Sequence, residues 1–235
     1  MGAFAELERA WSAVEARFMA SRPIRRLAEG TISVDHYAAY LRETYFYTRE
    51  DPQIQAAATA WFRGKDRAMV KPFLDHASSE VGHDQLALND LAALGFDPSS
   101  LPAENPLPNT TALFGFPFYA MQYRGVVSYL GYLFFLEFLP TSRGGDISAA
   151  LKAMGVPAAA LTFLEEHRSV DVHHNRLMRA YADTMLRTDA DVSEVIYAMQ
   201  VTGKLFEGML EGAFEAVDLG LSSLVRIRQG AGAAA

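Results

Sequence analysis

The chain has 235 residues, half of them apolar, a formal net charge of -7 and no cysteine. That length suits one domain with a core large enough to need no cross-link, and the missing cysteine excludes thiolate nucleophiles, zinc–thiolate sites and iron–sulfur clusters. The negative balance argues against nucleic acid as the main partner, because phosphate binding needs clustered Lys and Arg, and the run Arg22-Pro23-Ile24-Arg25-Arg26 is too short to reverse it.

Residues Met1 to Val14 alternate acidic and apolar side chains, without the basic start and apolar core of a signal peptide. From there apolar residues recur at spacings of three and four, the signature of amphipathic helices. The pattern predicts helices over 3–20, 34–49, 52–63, 67–94, 116–138, 146–153, 157–186 and 190–218. Asp35 stands near the start of the second, Gly95 just past the end of the fourth, and Pro157 in the first turn of the seventh. The Pro- and Ser-rich segment Gly95 to Asn109 reads as the one long loop, and Pro140 to Asp146 as a shorter break. The most apolar stretch, Val126 to Leu136, is far shorter than the ~20 residues a membrane span needs. It reads as a buried helix, so no membrane partner is expected. The expectation is an all-α bundle of seven to eight helices over residues 1–228, with a disordered tail over 229–235 and a cytoplasmic location.

Three of these helices carry an unusual set of polar residues. In His76-Ala-Ser-Ser-Glu80-Val-Gly-His83, Glu80 and His83 are three apart and project from one face of a continuous helix. Glu-x-x-His is the spacing by which one helix gives a carboxylate and an imidazole to a carboxylate-bridged metal pair. In His167-Arg-Ser-Val-Asp171-Val-His173-His174, His167, Asp171 and His174 share one face, while His173 points roughly 120° away. Glu137 stands between the two segments among Leu133, Phe134, Phe135, Leu136 and Phe138, where a charged carboxylate needs a compensating positive charge or an exposed helix end. The set Glu80, His83, Glu137, His167, Asp171 and His174 holds three carboxylates and three imidazoles, which suits iron or manganese. A surface stripe of salt-bridged His and Asp is the plainer alternative. Five of the six histidines fall in or beside these two segments, which argues against scatter.

The order Glu80-x2-His83, Glu137, His167-x3-Asp171-x2-His174 resembles the haem-oxygenase-like diiron oxidases and oxygenases, over about residues 35–215. The first element resembles the bacterial enzyme that turns medium-chain fatty acids into terminal alkenes. Other members space the first Glu and His by seven, and here His76 stands seven before His83, as a spare ligand or a supporting residue. The resemblance implies two Fe(II) ions per chain and O₂ as co-substrate, with Glu80 bridging. His83 and His167 would complete one iron, and Glu137, Asp171 and His174 the other. Glu80 and Glu137 are then the carboxylates assigned to catalysis. It implies oxidation of a small carboxylic acid, an amino acid ahead of a fatty acid, by desaturation, C–C cleavage or oxygen insertion. It leaves room for an external electron donor and for a homodimer. The alternatives are a metal-free quinone-forming oxidase of the same fold and a non-catalytic metal-binding bundle. Thiaminase-like relatives rely on a cysteine that this chain lacks, and a haem oxygenase would need His36 as its iron ligand.

For the substrate, the stripe His36, Tyr40, Glu43, Tyr47 and Glu50 gives Glu43 and Tyr47 as candidate contacts. Tyr123 is placed on the helix of Glu137, and Lys204, with Arg124 behind it, is the candidate cation for a substrate carboxylate.

Overall fold

The computed structural model describes residues 2–227, with side chains throughout that range except at residues 168–175. The expected tail and the side chains of Asp171, His173 and His174 therefore lie outside the described residues. The described chain forms nine α-helices and one two-residue antiparallel pair, β1 (Phe96–Asp97) with β2 (Val225–Arg226). None of its helices is long and apolar enough to cross a membrane.

Helix α1 (Ala3–Met19) buries Phe4, Leu7, Trp11, Val14 and Phe18, one side chain every three or four residues. The basic run seen in sequence is a helix of its own, α2 (Arg22–Ala28), with Pro23 in its first turn and Ile24 and Leu27 facing inward. Next come α3 (Val34–Ala58), α4 (Val70–Ser79) and α5 (His83–Ala93). Of these, α3 runs straight through Pro52, where the sequence predicts a break. The fold accepts the loss of the one backbone bond that proline cannot donate, to the Thr48 carbonyl.

The predicted helix over 67–94 is instead divided. Glu80 ends α4, Gly82 takes φ +97°, and α5 starts at His83. Such a φ is open to glycine at little cost.

The region 108–153 also differs from expectation. Helix α6 (Pro108–Tyr123) stops before Gly125, whose φ is +119°. Helix α7 (Tyr129–Ala153) then continues through Pro140 with no break at 140–146. Thr141 donates its hydroxyl back to the Phe138 carbonyl at 3.0 Å just after the proline. Helices α8 (Thr162–Met185) and α9 (Asp189–Asp218) complete the bundle, α9 opening on a capping box of Thr188 with Asp191.

Helix α7 is deeply enclosed at its start, with Tyr129 to Phe135 all buried. Gly131 lets it lie directly on α9. One core cluster joins Trp11, Phe134, Phe135 and Phe206 across α1, α7 and α9. A second joins Leu41, Phe46, Leu91 and Phe163 across α3, α5 and α8. The polar residues of interest sit where α3, α4, α5, α7 and α8 converge.

Candidate metal centre

Five side chains from four helices meet in the bundle. His76 comes from the last turns of α4 and Glu80 from its end. His83 starts α5, Glu137 lies in the third turn of α7, and His167 lies in the second turn of α8. Glu80, His83 and His167 place one ligand atom each within 4.8 Å of one another, and so do His76, Glu80 and Glu137. Glu80 belongs to both groups. Its Oε2 is 2.8 Å from His83 Nδ1, and its Oε1 is 3.7 Å from His76 Nε2. His76 Nε2 is 3.1 Å from Glu137 Oε1.

The pairing of Glu80 with His83 has a different cause from the helical spacing read in sequence. The two residues flank the Gly82 turn, so the left-handed glycine, and not a continuous helix face, brings the carboxylate back to the imidazole.

His167 is prepared as a neutral donor. His167 Nδ1 donates to the Phe163 carbonyl at 2.7 Å, which leaves Nε2 as the nitrogen with a lone pair. Burial, and then the neighbouring His83, hold its pKa below the ordinary histidine value. The rings of His83 and His167 are 4.7 Å apart. His76 is 2% exposed, and the Tyr181 hydroxyl, which donates to the Pro72 carbonyl at 3.2 Å, lies 3.5 Å from its Nδ1.

A further carboxylate, Asp51 on α3, faces the cluster and accepts from the Tyr132 hydroxyl at 2.7 Å. Burial pushes its pKa up to about 8 against the pull of that hydrogen bond, with Glu80 and Glu137 adding to the rise. Glu80 and Glu137 thus crowd negative charge beside this buried carboxyl, and a bound cation would relieve it.

Glu80, Glu137 and His167 line one part of a cavity that opens to solvent. Most of the wall is apolar, with Phe18, Ile24 and Leu27 on one side and Leu133, Phe206 and Leu210 on another. A polar ridge of α3 runs along it: Tyr37, Tyr40, Tyr47, Thr48, Asp51 and Gln55. No Lys or Arg lines it among the described residues.

The candidate substrate residues divide accordingly. Tyr47 lines the cavity. Glu43 is buried elsewhere, tied to Arg42, to the Thr110 hydroxyl and to the Leu107 amide at 3.0 Å, so it anchors the segment before α6. Tyr123 is 75% exposed, because α6 ends there and does not run on to Glu137. Lys204 is also at the surface, paired with Glu207 at 3.0 Å, and Arg124 is paired with Glu194 at 2.7 Å. The expected cation for a substrate carboxylate is therefore not at the cavity in either form. His36 has both ring nitrogens in use: Nδ1 accepts from the Ser33 amide at 3.0 Å, and Nε2 meets Asp218 at 2.9 Å. It has no nitrogen to offer a haem.

Asp51, Gln55 and Tyr132 were not legible as site residues. The signal for Asp51 and Gln55 is the continuation of the Tyr40–Tyr47 stripe beyond residue 50, which the break expected at Pro52 hides, while Tyr132 on α7 carries no such signal.

A family model described as "iron-containing redox enzyme" matches residues 38–205. The structure is similar to a domain of unknown function with a haem oxygenase-like fold from Shewanella denitrificans, with TM-score 0.80 and 23% identity over 95% of this chain and 97% of that one. It is also similar to a TenA homologue from Pseudomonas syringae, with TM-score 0.74 and 13% identity over 90% of this chain and 92% of that one. No curated protein matches the chain.

Proposed function

This chain belongs to the haem-oxygenase-like family of iron-containing redox enzymes, and from that premise we propose that it is a non-haem oxidase or oxygenase that uses two Fe(II) ions and O₂ on a carboxylic acid with a mainly apolar body. The observation that carries this reading is the position of Glu80, whose two carboxylate oxygens face two separate groups of donors.

The donor set fits iron, being carboxylate and imidazole without thiolate. The bond from His167 to the Phe163 carbonyl is the kind of support that orients a metal-binding imidazole. Glu80 would lie between the ions, with His83 and His167 on one side and Glu137 and His76 on the other. Asp171 and His174 would add to the set from further along α8. When bound, the irons would supply the redox reactivity toward O₂. The chain's own residues do the rest. The apolar wall holds the body of the substrate and excludes water. Asp51, held by the Tyr132 hydroxyl, places a hydrogen-bonding carboxyl inside the cavity and beside the cluster. The sequence alone favours an amino acid as substrate, whereas the cavity wall supports a fatty acid or similar apolar acid.

The test is anaerobic Fe(II) loading, metal counting, and O₂ uptake with medium-chain fatty acids and with amino acids. The expected result is about two irons per chain and uptake stimulated by a fatty acid. Equal uptake after chelation would assign the chain to metal-free oxidases of the same fold. Retained iron with no uptake for any acid would make it a metal-binding bundle.

Register along α8 gives a sharper prediction. His174 lies seven residues beyond His167 and returns to within about 20° of the same face, whereas His173 is roughly 120° off it. His173→Ala should therefore keep both irons, and His174→Ala should lower the count toward one, as read by metal analysis of dialysed protein.

A further inference from the structure

Gln55 is 1% exposed, lines the cavity, and has an amide nitrogen without a hydrogen-bond partner. Buried amide N–H groups are almost always paired, because leaving one unpaired forfeits its hydration with nothing in return. A nitrogen donor needs an acceptor, and because Gln55 lines the cavity an acceptor group bound there can supply one after a small turn of the amide. Asp51 precedes Gln55 by four residues, so the two share one face of α3 one turn apart. The Tyr132 hydroxyl fixes the Asp51 carboxyl, which faces Glu80 and Glu137. Gln55 and Asp51 therefore stand at the metal end of the cavity. The apolar wall of Ile24, Leu27, Phe206 and Leu210 belongs to α2 and α9.

We propose that Gln55, with Asp51 one turn before it, forms a head-group subsite whose amide hydrogen-bonds an oxygen of the substrate's carboxyl group. The apolar body of the substrate then extends along the wall from α2 and α9. The inference rests on the reading above that the cavity takes an apolar carboxylic acid, and it supplies what the absence of a lining Lys or Arg leaves open. The acid is held by a neutral donor and the metal centre instead of by a cationic side chain. An amine head is disfavoured, because it would leave the Gln55 nitrogen as it is.

Equilibrium dialysis of the full chain, loaded with Fe(II) without oxygen, tests this with octanoate, decanoate, dodecanoate and dodecylamine. At least one of the acids should bind more tightly than the amine. Gln55→Leu should weaken that acid by about tenfold, on the scale of one lost hydrogen bond, with iron content unchanged. It should melt no lower than the parent, since it removes an unpaired polar group. Gln55→Glu replaces the donor with an acceptor at nearly constant shape and should weaken the acid at least as much. The proposal is overturned if both variants bind the acid as the parent does, if dodecylamine binds best, or if none of the acids binds. Failure of the iron reading is separate. It appears as absent iron in the parent, and the same ligand comparison is then read on the metal-free chain.

Discussion

Glu80→Ala should bind neither iron while keeping the helix content of the parent. Each oxygen of this carboxylate faces a different set of donors, His83 and His167 on one side and His76 and Glu137 on the other. In the proposed two-iron site, removing it would take a ligand from both ions at once, whereas Glu137→Ala would remove one from a single ion and should leave a count near one. The fold should not suffer. Without metal, Glu80 adds to the negative charge that pushes Asp51 up. Deleting it relieves that repulsion but also removes its 2.8 Å contact with His83, so the two effects oppose each other and the metal-free variant should melt close to the metal-free parent. Metal analysis and thermal unfolding by circular dichroism check the two halves. One tightly held iron in Glu80→Ala would rule out the shared position.

Gly131→Ala should be among the most damaging small changes in the chain. A Cβ at this position would stand 2.3 Å from the Val195 carbonyl oxygen and 2.7 Å from both the Ala198 Cβ and the Met199 amide nitrogen. Two of these are backbone atoms of α9, so no side chain can turn aside and the helices must part. Overpacking of a core typically costs about 1–3 kcal/mol. A clash against backbone belongs at the top of that range, which for a chain of this size corresponds to a melting temperature lower by about 6–12 °C. Glu137 lies six residues further along α7, so iron affinity should fall as well. Gly145, on the same helix, has nothing within 4 Å of a Cβ. Gly145→Ala should raise stability by up to about 1 kcal/mol, as expected where glycine in a helix meets no obstacle.

The helical class was legible because it rests on spacing, and Glu80, His83, Glu137 and His167 stood out by their side-chain chemistry, although Glu80 and His83 meet across the Gly82 turn and not on one helix face. The path of the chain between them was not. Pro52 and Pro140 read locally as helix stops, yet both sit inside long helices whose packing outweighs one missing backbone bond each. Gly82 and Gly125 look like tolerable interruptions in apolar patterns, and both are true turns with positive φ. The misreading at Gly125 placed Tyr123 on the helix of Glu137, and the one at Pro52 concealed Asp51 and Gln55. Lys204 failed for a different reason. Its apolar sequence neighbours line one face of α9, while the Lys itself lies on the other, beside Glu207.

The turn at Gly82 bears on how firmly metal is held. Glu80 and His83 stand on opposite arms of a joint between two helices, and no side chain of Gly82 restricts its bending. An ion bound between them acts as a clasp, joining α4 to α5 where the backbone is most permissive. Part of the free energy of coordination must then be spent on quieting that joint, so affinity is set by the stiffness of the turn as well as by the donors. Stiffening the connection would tighten iron without adding a ligand, and loosening it would shed iron from a donor set that remains complete.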